Sequence, residues 1–304
     1  MFQRQVSPGY TPAYWDAAWD AATRDVAYED AFCEETPLHA ILSDKLRPDR
    51  IFLEGGCGPG QWVKYFHRRG YQVVGVDFAP RAVERLRREL PEADVRLGDI
   101  MRLPFSNGEV HAYYSGGVVE HDESGPEVGL REARRVLADD GWFLCSVPDA
   151  SALRNVLFAK RRTVRRDMDP EMVVTRVDHT RPEEPPAGMH FFQYVFTVDE
   201  FSQRLADAGF EVAEHFGYSL IWGLMEVPGV TPLTRRLLRR SSVQAPAPTT
   251  ATRASPAKPR RGTGKEILRR ALLREDRTLP LLGPAVAWAT EHMSNMRMYL
   301  ARPR

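Results

Sequence analysis

Between residues 50 and 147 short, continuous apolar runs alternate with segments whose apolar positions recur every three or four residues. Residues 50–54, 72–77 (QVVGVD), 94–98, 111–115 and 142–147 read as five strands. The helical spacing falls between them. Trp62, Tyr65 and Phe66 share one face of 61–69; Val83, Leu86 and Leu90 share one face of 80–90; Val128, Leu130, Ala133, Val136 and Leu137 mark 126–137. Pro91 and an Asp139-Asp140-Gly141 turn are the expected stops. Strands separated by helices of ~10 residues make crossover units, which predicts a largely parallel sheet covered by helices on both faces.

The second half is less regular. A helix candidate at 153–158 precedes a basic cluster at 160–166 and a Pro-rich stretch at 181–186. Thr197 and Glu200 match a capping box for a helix that continues to Gly209; strand 210–216 follows, and 296–301 reads as a terminal strand. Residues 241–264 are rich in Ser, Thr, Ala, Pro and Arg, with Val243 the one buried-type residue, and are expected to be disordered. The expected organisation is an N-terminal helical lid over 1–49, around Tyr14, Trp15 and Trp19, then a core of 50–219 and 291–304 with an insert at 151–189. A helical, basic insert spans 220–290.

Composition adds limits. At 304 residues, 43% hydrophobic and 27% charged, the chain is an ordinary globular protein. Cys33, Cys57 and Cys145 make neither a disulfide framework nor a CxxC pair, which points to a reduced compartment without structural zinc. The N-terminus has no apolar core of the signal-peptide kind, and apolar 279–289 is far short of the ~20 residues that span a bilayer. A cytoplasmic protein is expected. The net charge of +1 hides an asymmetry: residues 235–274 hold twelve Lys/Arg against Glu266 alone. Such a block suits a solvated face or a partner, including the surface of an anionic membrane.

Candidate chemistry sits in Glu54-Gly55-Gly56-Cys57-Gly58-Pro59-Gly60, between the first strand and the first helix. Glycines there allow a sharp turn and let a ligand touch main chain beside a helix N-terminus. Asp77, at the end of the next strand, is placed to accept both hydroxyls of a ribose. The dinucleotide pattern GxGxxG fails at Gln61, and no P-loop GK[ST] occurs. A nucleoside ligand without phosphates fits better, its ammonium balanced by Glu54.

Five ordered blocks, LEGGCGPG, VVGVDFAP, RLGDIMRLPF, YYSGGVVEH and REARRVLADDGWFLCSVPD, resemble the class I S-adenosylmethionine-dependent methyltransferases of the type 11, ubiquinone-biosynthesis-like branch. FFQYVFTVDEFSQRLADAGFEV resembles their last helix and sixth strand more loosely. The resemblance implies a Rossmann-like three-layer α/β/α sandwich, its seven-stranded, mostly parallel sheet carrying an antiparallel last strand. It implies S-adenosylmethionine held by Glu54, Gly55, Gly56, Cys57, Gly58, Gly60, Asp77, Phe78, Asp99, Ile100 and Ser115, with Asp99 facing the adenine amino group. His111 stands where the family has an acid, and neither insert is specified by the family.

His121 is the candidate general base, with a structural role as its alternative. His190, Tyr194, Tyr113 and Tyr114 stand near plausible substrate walls. No metal set is expected, because Ser115 ends the fourth strand; no Asn/Asp-Pro-Pro-Tyr/Phe motif or Pro-Cys pair points to DNA bases. The expected function is methyl transfer to a small-molecule or lipid-linked acceptor. The alternatives are an RNA-binding protein or RNA methyltransferase using the basic insert, and a cofactor-binding scaffold without catalysis.

Overall fold

The continuous apolar runs become the buried centre of one sheet. In the computed structural model, which describes residues 3–7, 15, 16, 19, 30, 33, 34, 36–159, 173–176, 190–227, 230 and 264–304, every residue of β2 (Phe52–Gly55) and β3 (Val73–Asp77) is buried. With β4 (Asp94–Leu97), β5 (Val110–Gly116), β6 (Leu137–Pro148), β9 (Phe210–Tyr218) and β10 (Met296–Pro303) they form a seven-stranded sheet in the order β4-β3-β2-β5-β6-β10-β9. The β4-β3, β3-β2, β2-β5 and β5-β6 pairs are parallel, and β10 runs antiparallel to both β6 and β9. A strand buried on both faces has no polar side to show, hence the unbroken apolar reading.

The expected helices take their places. They are α1 (Leu38–Lys45), α2 (Gln61–His67), α3 (Pro80–Glu89), α4 (Glu127–Val136), α5 (Ala152–Ala159), α6 (Val198–Asp207), α7 (Leu220–Met225), α8 (Gly264–Leu273) and α9 (Gly283–Met293). One apolar cluster joins Leu130, Ala133 and Val136 of α4 and Phe201 and Leu205 of α6 to Leu53, Phe143 and Tyr299. A second joins Leu38 and Leu42 of α1, Trp62 and Phe66 of α2, and Val83 and Leu86 of α3 to Phe52, Leu144 and Leu300. The capping box of α6 is formed: Glu200 N–H donates to Thr197 Oγ1, and Thr197 N–H to Glu200 Oε2.

Three features depart from the expectations. The Asp139-Asp140-Gly141 turn lies within β6, where the register jumps from Val110↔Leu137 to Ala112↔Trp142 and 138–141 loop out of the ladder. Residues 3–7, inside the stretch expected to be a helical lid, form strand β1 (Gln3–Ser7). It lies between β7 (Val173–Arg176) and β8 (His190–Val195), antiparallel to both, in a second sheet of order β7-β1-β8. The basic cluster at 160–166, the Pro-rich 181–186 and the stretch 241–264 fall outside the described residues, except that Gly264 begins α8.

Two buried ionic contacts fix the inserts, one joining them to each other and one tying α9 to β10 and the end of β6. Arg154 of α5 holds Glu226 through Nε–Oε2 at 2.8 Å and Nη2–Oε1 at 2.5 Å. Arg297 of β10 holds Asp149 at 3.1 Å and Glu291 at 2.8 Å, and its Nη1 donates to His215 Nδ1. Removing one partner strands the other charge in a dry site. Arg297→Ala is expected to cost about 3–5 kcal/mol in urea unfolding; a cost under ~1 kcal/mol, the value of a surface pair, would show that water reaches the site.

Candidate functional site

The turn after β2 is tied to the end of β3. The N–H groups of Gly56 and Cys57 both donate to the Val76 carbonyl, at 2.7 and 3.1 Å. Gly58 lies at φ +50°, and a Cβ there would come within 2.9 Å of the Trp19 ring. Gly60, the residue preceding α2, lies at φ +70°, and a Cβ there would meet Leu86 at 2.3 Å. Glycine solves both problems, backbone hand and space.

Gly60 offers no capping side chain, so the cap comes from the strand. Glu54 Oε2 accepts the Val63 N–H at 3.0 Å, satisfying one of the open donors of the first turn of α2. Burial raises the Glu54 carboxyl to about 8, against the Val63 bond and with the help of nearby Asp77. Asp77 is also buried: Oδ2 accepts from Gly58 N–H at 2.7 Å and Oδ1 from Ala79 N–H at 2.8 Å. Desolvation raises its pKa, and those backbone bonds oppose the rise.

This donor set fits S-adenosylmethionine. Each Asp77 oxygen keeps a lone-pair direction after its backbone bond, which suits two neighbouring hydroxyls. Glu54 is a carboxyl that a nearby cation would ionise, which suits an ammonium. Gly55 stands opposite Val76 and Ser115 in the ladder, and Ser115 is fully buried. Cys57 turns its sulfur inward, 3.0 Å from where a Gly75 Cβ would be, so its main chain is what the turn presents. Gly98 N–H donates to the Asp77 carbonyl, which brings the next residues to the same edge. Half-buried Phe78 and Ile100 lie there with exposed Asp99, whose Oδ1 accepts from Met101 N–H at 2.9 Å.

His121 ends a short 3-10 turn, Val119–His121, beyond β5. Its Nδ1 lies 2.7 Å from the Phe192 carbonyl, which requires Nδ1 to carry the proton. Burial lowers its pKa to about 4, so the ring is neutral across the physiological range. A strong base is not what this burial makes; the bond instead ties the strand-end turn to β8.

Sequence reasoning passed over Asp16 and gave Glu120 no role. Asp16 Oδ1 accepts from Arg81 and Ala82 N–H at 3.0 and 3.3 Å, capping α3 from the N-terminal segment. Trp15 stacks on Trp19 at 5.3 Å and meets the His121 ring edge-on at 5.2 Å, an aromatic bridge from the glycine turn to the 3-10 turn. Partners 65 and 66 positions away leave no local signal for Asp16. Glu120 was visible as the neighbour of His121 but had no assigned role. The residue is 1% exposed, its Oε2 has no hydrogen-bond partner among the described residues, and burial raises the carboxyl to about 8. Burial also raises the Tyr218 phenol, with Glu120 and Glu275 adding to the shift, so these groups share one polar wall.

Sheet order and glycine turn agree with what the resemblance implies for a class I S-adenosylmethionine-dependent methyltransferase domain. Residues 53–145, about a third of the chain, match the type 11 family model described as a methyltransferase domain. It is 36% identical over 123 residues to an uncharacterised 37.1 kDa protein of transposon TN4556 from Streptomyces fradiae, covering 38% of this chain and 35% of that one. A probable S-adenosylmethionine-dependent methyltransferase of Mycolicibacterium smegmatis is 31% identical over 100 residues, covering 33% of this chain and 38% of that one. The chain thus spans little more than a third of the length of these curated relatives. The S-adenosylmethionine-dependent methyltransferase of Mesorhizobium loti shares the fold at a TM-score of 0.50 and 14% identity, covering 89% of this chain and 99% of that one.

The buried His121 gives the domain an acid-sensitive point. Its folded pKa, about 4, lies below the ordinary 6.5, so the unfolded chain binds more protons between those values and stability falls as pH drops through them. Between pH 7 and 5 the loss is about 2 kcal/mol. His121→Asn, which keeps a donor for the Phe192 carbonyl, is expected to flatten the urea midpoint over this range; slopes equal to wild type would show that His121 is not the titrating group.

Proposed function

We propose that the protein transfers the methyl group of S-adenosylmethionine to a small-molecule or lipid-linked acceptor by in-line displacement. The observation that carries this reading is the Asp77–Gly58 bond at 2.7 Å, which holds the glycine turn against the strand-end acid. The bound cofactor would supply a sulfonium whose methyl is already electrophilic. The chain then has to bind, orient and exclude water. Asp77 takes the ribose hydroxyls, Glu54 balances the ammonium, and Trp19 covers the turn beside Gly58. His121 acts as a positioning residue, holding the turn that carries Glu120 beside the acceptor.

Glu120 favours an acceptor with a polar reacting end. Its unpartnered Oε2 is raised to about 8 and can receive a proton from a hydroxyl or amine once ionised, or donate one to a carbonyl before that. The test is incubation with methyl-labelled S-adenosylmethionine and separate small-molecule, lipid and RNA fractions. Label in a small-molecule or lipid product, with S-adenosylhomocysteine released, is the expected outcome. Label in RNA would replace this reading with RNA methylation; S-adenosylhomocysteine binding without label anywhere would make the protein a scaffold.

The cofactor site has its own check. Asp77→Ala leaves the ribose hydroxyls unpaired and should weaken S-adenosylhomocysteine by about 1–3 kcal/mol in calorimetry. Gly58→Val drives a side chain into Trp19 at a left-handed position and should abolish binding. Unchanged affinity in both variants would move the cofactor elsewhere.

A further inference from the structure

Helices α7, α8 and α9 pack on one another, and among the described residues the insert's own apolar cluster is Ala271, Leu279 and Val286, with Leu220 and Ile221 of α7 also buried. Around it the apolar surface continues into solvent. Of the nine large apolar residues exposed among the described residues, six lie in this insert: Trp222, Ile267, Leu268, Leu281, Leu282 and Trp288. Ile267 and Leu268 lie one turn before buried Ala271 on α8, so a single apolar stripe runs from the core outward. Leu281 is 98% exposed and sits at φ +66°, a conformation unfavourable for leucine. Trp288 is 59% exposed. This is the reverse of how an independent helical unit treats its leucines and tryptophans.

The sequence charge of the insert names its occupant. Between Glu226 and Glu266 the sequence holds nine Lys/Arg and no acid, and exposed Arg274 and Arg277 follow on the same insert. In the sequence between α7 and α8, residues 231–263 carry Leu233, Leu237, Leu238 and Val243 but no aromatic, with arginine pairs at 235/236 and 239/240 on either side of Leu237-Leu238. Interleaved aliphatics and tryptophan beside concentrated cations match a bilayer with anionic headgroups, into which such helices bury one face. Position agrees. The insert leaves the sheet after Tyr218 and returns at Met296, paired partners at the edge where Glu54, Asp77 and Ser115 end or near the end of their strands.

We propose that the α7–α9 insert docks the protein on an anionic lipid surface and turns the acceptor edge of the sheet towards it. The acceptor class this favours is an amphiphile whose polar end is methylated at the interface; that clause rests on the proposed methyl transfer, whereas the docking does not. The test is sedimentation of the full chain with phosphatidylglycerol/phosphatidylcholine vesicles and with phosphatidylcholine vesicles, at 50 mM and 500 mM salt, with S-adenosylhomocysteine affinity measured on the same samples.

Docking predicts pelleting with anionic vesicles at low salt, at least tenfold less with phosphatidylcholine alone. It predicts at least a tenfold loss for Leu281→Asp/Trp288→Asp and a several-fold loss for Arg274→Gln/Arg277→Gln. Leu97→Asp, an exposed residue on β4, should pellet like wild type. S-adenosylhomocysteine affinity should be unchanged in the insert variants; its loss in the wild type would overturn the cofactor reading and leave docking standing. No pelleting at low salt overturns docking, as does pelleting that ignores the Leu281/Trp288 pair, which would be adsorption by charge alone. Tight binding of an RNA oligonucleotide with no vesicle binding would also overturn it, and assign the cations to nucleic acid.

Discussion

Two backbone N–H groups on one buried carboxylate hold the site together. Asp77 ends β3 and accepts from Gly58 in the turn after β2 and from Ala79 ahead of α3. Each such charge-assisted bond is worth about 1.5–3 kcal/mol, and both would be weakened by protonation. The β2 turn, the β3 end and the start of α3 are therefore one unit. Asp16 extends it, since the same helix start accepts a second carboxylate, this time from the N-terminal segment. A ribose placed on Asp77 would meet an acid already aligned and partly desolvated, so little of its binding energy would go into ordering the loop.

The parts legible in the sequence were those with local causes. Buried parallel strands need unbroken apolar runs, so β2, β3, β5 and β6 announced themselves, and the capping box announced α6. The glycine turn was legible because φ values of +50° and +70° admit few other residues. The second sheet was not. β1 and β8 pair across 180-odd positions, and His190-Phe191-Phe192-Gln193-Tyr194-Val195 has no clean alternation from which to infer an edge. Asp16 escaped for the same reason, its partners being distant backbone groups with no side-chain pattern. The roles of Glu54 and His121 were only half legible: residue types can suggest charge, whereas burial decides the proton. Glu54 is a cap for α2 and a carboxyl near 8, and His121 a neutral ring near 4.

Those opposite shifts describe how the site is poised. Desolvation pushes acids up and histidine down, so Glu54, Glu120 and His121 all lean towards their neutral forms. Buried acids that are neutral are tolerable without ligand and become strongly attractive to a cation once one arrives, because ionisation and binding then reinforce each other. The positive ligand expected beside Glu54 is of that kind. Glu120 differs: among the described residues its Oε2 has no hydrogen-bond partner to stabilise its charge.

The inserts show where the core's stability goes. Arg154–Glu226 joins the two inserts, and Arg154 also donates to the Asp149 carbonyl; Arg297–Asp149 binds β10 to the end of β6, so both buried pairs meet at Asp149, beyond the last residue of β6. Such pairs add little net stability against a well-packed apolar contact, but they fix one geometry and penalise others. Helices α7 and α9 therefore leave the sheet in a defined direction, even though the apolar cluster of the insert's described residues is three side chains. An element held rigidly at its base and left apolar at its tip has its base specified by the fold and its tip by whatever it touches. That division lets the turn, strand and acid of the core stay unchanged whatever the tip of the insert touches.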